Sequence, residues 1–256
     1  MIQFEIKEGV GKITLNRPDK YHAFVREMAL QLQVVLDKCN DDKSVRAILI
    51  TATGKAFCAG QDLSEATDPN GPALTQIVQE HYNPIIRKIR NIEKPIVAAV
   101  NGVAAGAGAS IALCCDIVVA CESATFIQAF SKIGLIPDSG GTFFLPRLIG
   151  MQKAAALMMT AEPVSAKDAE KMGMIYKVFS DDSFEQESWQ LVSKLAGMPT
   201  KGLGLTKRLL NASYSNNLEE QLNMEDKCQT IAGNTADFME GIEAFFEKRI
   251  PNFKGE

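Results

Sequence analysis

A turn built from small residues follows the apolar run RAILITA, in the segment GKAFCAGQDL (54–63). Ala59 and Gly60 directly precede Gln61 and Asp62. Small residues allow backbone N–H groups to approach a ligand closely, so this segment could bind an electron-rich oxygen. A plain turn from a strand into a helix, made by Gly60, explains the segment at least as well when it is taken alone.

A second turn of this kind lies in NGVAAGAGAS (101–110), between the apolar run PIVAAV and a predicted helix that begins near Gly106. A helix N-terminus that carries almost no side chains presents unpaired N–H donors to an anion. Ile111 stands three positions after Gly108, so the G-x-G-x-x-G pattern of a dinucleotide site is incomplete. Tight packing of a strand on a helix explains the small residues equally well. Two such turns, each after a buried strand, favour two converging N–H donors, which form an oxyanion hole.

A carboxylate stands in a third segment, FSKIGLIPDSGGTFFLPRLIG (130–150), where Asp138 follows Pro137 and precedes Ser139. Taken alone, Asp138 is best interpreted as the N-cap of the apolar helix that follows. The alternative is an acid–base group in a partly dehydrated neighbourhood. Dehydration raises the pKa of a carboxylate whereas a helix N-terminus lowers it, so the sequence leaves the direction of the pKa shift open.

The elements that must position these segments alternate between strands and helices. Apolar and polar residues alternate on both sides of a turn at Glu8, which predicts a β-hairpin. A helix is predicted over 26–39 and a buried strand over 46–52, and the order repeats with a helix around 74–91 and strands at PIVAAV and DIVVA. This order predicts an α/β fold with largely parallel strands. After about residue 150 the pattern is mostly helical, and its apolar faces either complete the core or contact a neighbouring subunit.

The composition excludes several classes of protein. The 256 residues are 46% hydrophobic and 23% charged with a net charge of −4, which fits one core domain and argues against general nucleic-acid binding. The N-terminus lacks the layout of a signal peptide, and no apolar run reaches the roughly 18 residues that span a bilayer, so a cytoplasmic protein is expected. Six cysteines without a C-x-x-C pair predict reduced core residues, and two histidines without H-E-x-x-H argue against a metal site.

Five motifs, in this order and spacing, resemble those of the crotonase, or enoyl-CoA hydratase/isomerase, superfamily. They are NRP (16–18), AFCAGQDL, KPIVAAVNGVAAGAGASIALCCDIVVA, GLIPDSGGTFFLPRLIG and EKRIPNFKGE. The similarity covers essentially the whole chain. Within the superfamily, G-V-A-A-G-A-G-A and I-P-D-x-G-G-T resemble the branch that isomerises ring 1,2-epoxyphenylacetyl-CoA in phenylacetate degradation.

The resemblance implies a crotonase-like α/β fold, a spiral of ββα units, with a C-terminal helical region that forms trimers, often as a dimer of trimers. We expect the spiral core in residues 1–195 and the C-terminal helical region in residues 196–256. The implied substrate is an acyl-CoA thioester. Coenzyme A is then part of the substrate, so no separate cofactor, metal, nucleic acid or membrane partner is expected.

The resemblance also assigns catalytic residues. The backbone N–H groups of Gln61 and Ala107 should bind the thioester oxygen. Hydratases of the superfamily activate water with two glutamates, and Ser110 and Phe130 occupy the matching positions, where neither can accept a proton from water at neutral pH. Asp138 matches the single acid of isomerase branches, in which one carboxylate removes a proton from one carbon and returns it to another.

Further contacts with the substrate are implied around the two turns and at the C-terminus. The expected binding residues are Ala23, Ala59, Gly60, Asp62, Gly106, Lys248, Phe253 and Lys254. The last three belong to E-K-R-x-P-x-F-K-G, which in relatives lies near the adenine or phosphates of CoA; a solvated charged tail is the alternative. His22 replaces an Asn common in relatives, and the segment 64–82, with its Pro- and Gly-containing cluster, is expected to be a mobile loop at the pocket.

The leading expectation is an isomerase that converts ring 1,2-epoxyphenylacetyl-CoA to oxepin-CoA, shifts enoyl-CoA double bonds, or does both, in phenylacetate or fatty-acid metabolism. One alternative is an enoyl-CoA hydratase of fatty-acid β-oxidation, or another crotonase reaction such as hydrolysis. The other is a non-catalytic member that binds acyl-CoA or RNA. The missing acids at 110 and 130 speak against hydration, and Asp138 together with two oxyanion turns speaks against a silent protein.

Overall fold

Two β-sheets, covered by helices, form the centre of the fold. The structure is a computed structural model that describes residues 1–256. The strands are β1 (Ile2–Lys7), β2 (Val10–Leu15), β3 (Ala47–Ala52), β4 (Ala56–Cys58), β5 (Ile96–Val100), β6 (Val103–Ala105), β7 (Ile117–Cys121), β8 (Thr125–Ile127), β9 (Val164–Ser165) and β10 (Lys177–Phe179). The α-helices are α1 (Arg26–Asp41), α2 (Leu63–Ala66), α3 (Leu74–Gln76), α4 (Asn83–Asn91), α5 (Ala107–Leu113), α6 (Gly141–Ile149), α7 (Met151–Thr160), α8 (Ala166–Lys171), α9 (Phe184–Ala196), α10 (Thr200–Ala212), α11 (Leu218–Gly233) and α12 (Ala236–Glu247).

The larger sheet has six strands in the order β1-β2-β3-β5-β7-β10. Strands β1 and β2 are antiparallel, and the other neighbours are parallel. The predicted hairpin is confirmed, and its turn has positive φ at Glu8 (52°) and Gly9 (79°), as the two-residue hairpin turns that match strand twist require. All five residues of β5 are buried, which explains why PIVAAV is a continuous apolar run.

The smaller sheet has four strands in the order β4-β6-β8-β9. Each of β3, β5 and β7 in the larger sheet is followed along the chain by a short strand of the smaller sheet, namely β4, β6 and β8. A helical segment follows each of these pairs: α2, α5 and a 3₁₀ turn at Ala129–Ile133. This is the repeated ββα unit, so the predicted α/β spiral is confirmed.

The helix predicted around 74–91 is present, but it changes its winding along its length. It consists of α3, a π-helical segment over Ile77–Tyr82, and α4. The expectation of a loop over 64–82 is therefore wrong, because α2 and the helix from Leu74 leave only residues 67–73 outside helices. The Pro and Gly residues that suggested a long loop fall within that short stretch.

The C-terminal helices pack in two ways. Helix α9 lies against β2, β3 and β7, whereas α10 packs on α11 and α11 packs on α12. Lys207 of α10 fastens this region to the core, since its buried Nζ lies 2.8 Å from Asp116 Oδ2 and donates to the Ile89 carbonyl at 2.7 Å. The division of the chain into a spiral core (1–195) and a C-terminal helical region (196–256) stays a prediction.

All six cysteines are buried and unpaired, as the sequence predicted. None of the helices is both long and apolar enough to cross a membrane.

Candidate active site

The two small-residue turns lie side by side because the strands before them are neighbours. Strands β4 and β6 pair in parallel, so the chain leaves both strands at the same edge of the smaller sheet. Gly60 has φ of +90°, and a Cβ placed there would lie 3.0 Å from the Ala105 oxygen and 3.3 Å from the Ala107 nitrogen. Gly106, with φ of 53° and ψ of −127°, turns the chain into α5. Such backbone angles are essentially restricted to glycine, so both turns need this residue type.

Each turn leaves one N–H group unused by secondary structure. Phe24 pairs with Gln61 in an isolated parallel bridge, in which the Phe24 N–H donates to the Gly60 carbonyl at 2.7 Å and the Asp62 N–H donates to the Phe24 carbonyl at 2.8 Å. The Gln61 N–H takes no part in this bridge and faces away from Phe24. Ala107 is the first residue of α5, so its N–H has no acceptor within the helix.

Tight packing also explains part of the second turn. A Cβ at Gly108 would lie 2.4 Å from the Cys58 carbonyl oxygen and 2.7 Å from its Sγ, so α5 rests directly on β4. The two interpretations of the small residues thus apply to different positions: Gly108 serves strand–helix packing, while Gly60 and Gly106 shape the backbone around the free N–H groups.

An ion pair and a buried histidine hold the first turn in place. Arg17 lies 2.7 Å from Asp62 Oδ2 and donates to the Ala23 carbonyl at 2.7 Å. Asp62 also caps α2, accepting from the Ser64 N–H at 3.0 Å, and these hydrogen bonds and the arginine lower its pKa against the opposing effect of burial. His22 Nδ1 accepts from the Arg17 N–H and its Nε2 donates to the Thr53 carbonyl at 2.7 Å.

These contacts give Arg17 and His22 structural roles that sequence reasoning did not assign. The carboxylate of Asp62 is likewise engaged within the protein. Of the small residues at the turn, Ala59 is exposed and Gly60 is buried. Contacts of Ala23, Ala59 and Asp62 with a substrate stay predictions.

Both polar atoms of the Gln61 side-chain amide are hydrogen-bonded. Its Oε1 accepts a 2.8 Å hydrogen bond from the Tyr82 hydroxyl, and its Nε2 donates to Glu65 Oε2 at 2.9 Å. Sequence reasoning missed Tyr82 and Glu65, since a single tyrosine or glutamate in a helical pattern carries no recognisable signal.

Asp138 lies just before α6 without capping it. The helix begins at Gly141, and its N-cap is Gly140, so the N-cap interpretation of Asp138 is wrong. The partly buried carboxylate accepts from the Ser139 hydroxyl at 2.9 Å. Burial raises the pKa of Asp138, and the hydrogen bond from Ser139 opposes that rise only in part. The direction left open by the sequence is therefore upward, which makes this carboxylate a stronger base than an exposed aspartate.

The Asp138 loop packs on the first turn of α5. A Cβ at Gly141 would lie 2.8 Å from Ser110 Oγ and 3.4 Å from Pro137 Cβ, so Ser110 of α5 lies close to the start of α6. The negative charge of Asp138 also contributes to raising the pKa of Tyr82, after the larger effect of burial, so the two residues lie in the same neighbourhood.

Ser110 and Phe130, the two positions that the resemblance matches to the glutamates of hydratases, are buried beside the turns. Ser110 is 1% exposed and its Oγ has no hydrogen-bond partner. Phe130 is 7% exposed, and its ring lies 3.9 Å from the point where a Cβ of Gly106 would stand. A hydroxyl and a phenyl ring therefore occupy this part of the site, and neither is a base.

The three residues near the C-terminus that were expected to bind CoA, Lys248, Phe253 and Lys254, lie in or against other parts of the same chain. Phe253 packs on Gly241 of α12, and its carbonyl accepts from Arg46 at 2.7 Å. The Lys254 N–H donates to Asp237 Oδ1, and Lys248 ends α12 in a left-handed conformation. Their role toward CoA stays a prediction. No group of three or more His, Cys, Asp or Glu side chains could hold a metal ion.

Comparison with known proteins agrees with the motifs. A sequence model of the family described as Enoyl-CoA hydratase/isomerase matches residues 5–256. The 1,2-epoxyphenylacetyl-CoA isomerase of Escherichia coli (strain K12) is 45% identical over 254 residues, which are 98% of this chain and 97% of that protein. The 2,3-dehydroadipyl-CoA hydratase of the same organism is 34% identical over 243 residues, covering 95% and 94%. The crystal structure of an enoyl-CoA hydratase from Bacillus anthracis superimposes with a TM-score of 0.93 at 32% identity, covering 100% of this chain and 99% of that one.

Proposed function

The chain belongs to the enoyl-CoA hydratase/isomerase family, and from this premise we propose that it isomerises acyl-CoA thioesters with a backbone oxyanion hole and a single carboxylate. The proposed substrates are ring 1,2-epoxyphenylacetyl-CoA, which would become oxepin-CoA, and enoyl-CoA esters, whose double bond would move along the chain.

The observation that carries the proposal is the approach of the two small-residue turns. The Ala107 nitrogen lies 3.3 Å from the position of a Cβ on Gly60, next to Gln61, so two N–H groups free of secondary structure stand together. A thioester oxygen between them would accept both hydrogen bonds. One such donor typically contributes roughly 3–4 kcal/mol to lowering the barrier, because charge develops on that oxygen in the transition state.

Asp138 would move the proton. In a double-bond shift, its carboxylate takes a proton from the carbon next to the thioester or from the carbon beyond the double bond. The C–H electron pair enters the carbon framework and places negative charge on the thioester oxygen. The resulting carboxylic acid then returns the proton to the other carbon, so no atom is gained or lost. The raised pKa of Asp138 supports the first half of this cycle, because it makes the carboxylate a stronger base.

The residues beside the turns favour isomerisation over hydration. Ser110 and Phe130 stand where hydratases of the family place their acids, so only Asp138 remains to hold and activate a water. Hydration is the second candidate, and it is supported by relatives such as the 2,3-dehydroadipyl-CoA hydratase at 34% identity. The convergence of Gly60 and Ala107 with a nearby carboxylate of raised pKa supports catalysis over mere acyl-CoA binding.

The ring epoxide is proposed as substrate from likeness. The 1,2-epoxyphenylacetyl-CoA isomerase shares 45% of its residues with this chain over nearly the whole length of both. Ring opening to an oxepin is itself an isomerisation, and it calls for no external reagent. We therefore propose that coenzyme A is needed only as part of the substrate, and that turnover requires no metal or added nucleotide.

We also propose that the chain works as a homotrimer or a dimer of trimers in the cytoplasm. The C-terminal region supports self-association, because Phe245 and Phe246 are 79% and 77% exposed where they line an apolar groove of about 610 Å³, and Ile250 is 89% exposed. Six unpaired cysteines are in keeping with a reducing compartment. Lys248, Phe253 and Lys254 at this end are the proposed contacts for the CoA phosphates and adenine.

Product analysis tests the proposal. The purified protein is incubated separately with ring 1,2-epoxyphenylacetyl-CoA, a 3-enoyl-CoA and crotonyl-CoA, and isomerised and hydrated thioesters are separated by chromatography. We expect isomerised products from the first two substrates and little hydration of the third. Fast hydration of crotonyl-CoA without isomerisation would establish the hydratase instead, and no turnover of any ester would leave only acyl-CoA binding.

A further inference from the structure

We propose that Tyr82 is a positioning residue of the oxyanion hole, acting through the side chain of Gln61. The inference rests on the proposed function, since it concerns how the Gln61 N–H is aimed at a thioester oxygen. Tyr82 itself touches no reacting atom in this proposal.

Tyr82, Glu65 and Phe24 surround Gln61 and hold both its side chain and its backbone. The Tyr82 hydroxyl donates to Gln61 Oε1 at 2.8 Å, while Gln61 Nε2 donates to Glu65 Oε2 at 2.9 Å. Glu65 is held in turn by the N–H of Arg26 at the start of α1, at 2.9 Å and 3.1 Å to its two oxygens. The Tyr82 ring packs on Phe24, with ring centroids 5.9 Å apart, and Phe24 is the residue whose backbone pairs with Gln61.

This arrangement fixes the direction of the Gln61 N–H from two sides. The backbone bridge to Phe24 restrains the peptides on either side of Gln61, through Gly60 and Asp62. The side-chain amide is gripped at its oxygen and at its nitrogen by groups from two other elements. Rotation of the Gln61 backbone would break at least one of these hydrogen bonds, so the direction of its N–H is held fixed beside the turn that carries the Ala107 nitrogen. Rigid donors of this kind require no reorganisation during the reaction.

The chemical state of Tyr82 suits a permanent donor. Its side chain is fully buried, and burial together with nearby negative charges raises its pKa well above the usual value. The hydroxyl therefore keeps its proton throughout the pH range in which such an enzyme works. Tyr82 ends the π-helical segment Ile77–Tyr82, and π-helical turns are rare and often mark functional positions.

The decisive variant is Tyr82→Phe, which removes only the hydroxyl. We expect kcat to fall about tenfold on both the ring epoxide and the 3-enoyl-CoA, with KM changed less than twofold, because the loss concerns the transition state. Tyr176→Phe is the matched control, since the Tyr176 side chain is 65% exposed, and its kinetics should equal those of the wild type. A melting temperature for each variant shows that the protein is folded.

Gln61→Met provides the second arm, because methionine has a similar length, carries no donor and has only a weakly accepting sulfur. We expect it to lower kcat at least as much as Tyr82→Phe, because it removes the hydrogen bonds to both Tyr82 and Glu65. We expect Tyr82→Phe to have no further effect in the Gln61→Met background. Equal and independent losses that add up in the double variant would overturn the inference, since Tyr82 would then act by a route other than Gln61. An unchanged kcat in Tyr82→Phe, or an effect on KM alone, would overturn it as well.

A spectroscopic readout separates failure of this inference from failure of the proposed function. Phenylacetyl-CoA labelled with ¹³C at the thioester carbonyl lacks the epoxide and the double bond, and its infrared carbonyl band reports hydrogen bonding to that oxygen. We expect the band to move to lower frequency on the wild type and to return part of the way toward its solution position on Tyr82→Phe. A wild type that leaves the band unmoved refutes the oxyanion site itself. A shift that is identical in wild type and Tyr82→Phe refutes only the role of Tyr82.

Discussion

A single methyl group at Gly60 should push apart the turns at Gly60 and Gly106, which are proposed to form the oxyanion hole. In Gly60→Ala the new Cβ would stand 3.0 Å from the Ala105 oxygen and 3.3 Å from the Ala107 nitrogen, whereas ordinary contacts begin at 3.4 Å. Both contacts are with backbone, which cannot swing aside as a flexible side chain can. The turns must therefore separate by a few tenths of an ångström, or the chain at residue 60 must rotate.

The magnitude follows from what that separation does to the two donors. Removing one oxyanion donor costs about 10²–10³ in kcat, and Gly60→Ala displaces a donor without removing it, so we expect a loss of about tenfold to a hundredfold. The positive φ of +90° should also lower the free energy of unfolding by about 1–2 kcal/mol, because an alanine rarely adopts it. Binding of the CoA ester should change little, since the displaced contact matters most in the transition state.

A matched variant separates the backbone cost from the loss of the site. Gly54 also has a positive φ, +68°, but its Cβ would meet only Pro18 Cβ at 3.9 Å. Gly54→Ala should therefore lower the melting temperature as Gly60→Ala does while leaving turnover near that of the wild type. The assay follows isomerised thioester by chromatography at saturating substrate, with melting temperatures measured in parallel. If the Gly60→Ala variant retains more than half of the wild-type kcat, the proposed placement of the oxyanion hole at this turn is refuted.

The remaining predictions concern the carboxylate, the metal question and hydration. Asp138→Asn should reduce the rate of isomerisation at least about a hundredfold while CoA-ester binding persists. The kcat/KM of the wild type should decline as the pH falls through the raised pKa of Asp138. An Asp138→Asn variant with substantial turnover would contradict both statements. Because burial raises this pKa, the contribution of Asp138 to stability is fully present below the unfolded pKa of about 3.9 and is lost as pH rises through the folded value, so Asp138→Asn should melt no lower than the wild type at pH 8. Turnover should survive exhaustive treatment with EDTA, and inhibition that zinc or magnesium reverses would refute this. Ser110→Glu combined with Phe130→Glu should raise the rate of crotonyl-CoA hydration. Because this double variant buries two carboxylates, circular dichroism must show that it is folded. A folded double variant that hydrates crotonyl-CoA no faster than the wild type would refute the assignment of these two positions.

The layout of the fold was predictable because it depends on local patterns. The alternation around Glu8, the buried run at β5 and the order of strands and helices follow from side-chain periodicity, which a single sequence displays directly. The convergence of the turns at Gly60 and Gly106 could be predicted in kind, from two bare turns after two buried strands. The distances between them depend on the pairing of β4 with β6, which periodicity does not reveal.

Three features escaped prediction for physical reasons. Asp138 precedes a helix in the sequence, as an N-cap would, but Gly140 turns the chain at φ of 73° and takes the cap position itself. The cluster of Pro and Gly after Thr67 predicted a longer loop than the one present, because the helical residues on both sides carry no strong boundary signal. Tyr82 meets Gln61 across 21 positions of sequence, and only the tertiary structure brings the two side chains together.

The site divides its work between backbone and side chains, and this division explains how one family can hold different reactions. The donors proposed to bind the thioester oxygen belong to the backbone at Gln61 and Ala107, so their geometry depends on glycine at positions 60 and 106 and tolerates changes elsewhere. The group proposed to move the proton is a side chain, that of Asp138, and Ser110 and Phe130 are side chains that lie near the turns. Under the proposed function, the backbone of the turns would activate the thioester, and the side chains around them would decide between isomerisation and hydration. In this chain the side chain of Gln61 connects the two groups, because it accepts a hydrogen bond from Tyr82, and Tyr82 lies close enough to Asp138 for the carboxylate to help raise the pKa of the tyrosine.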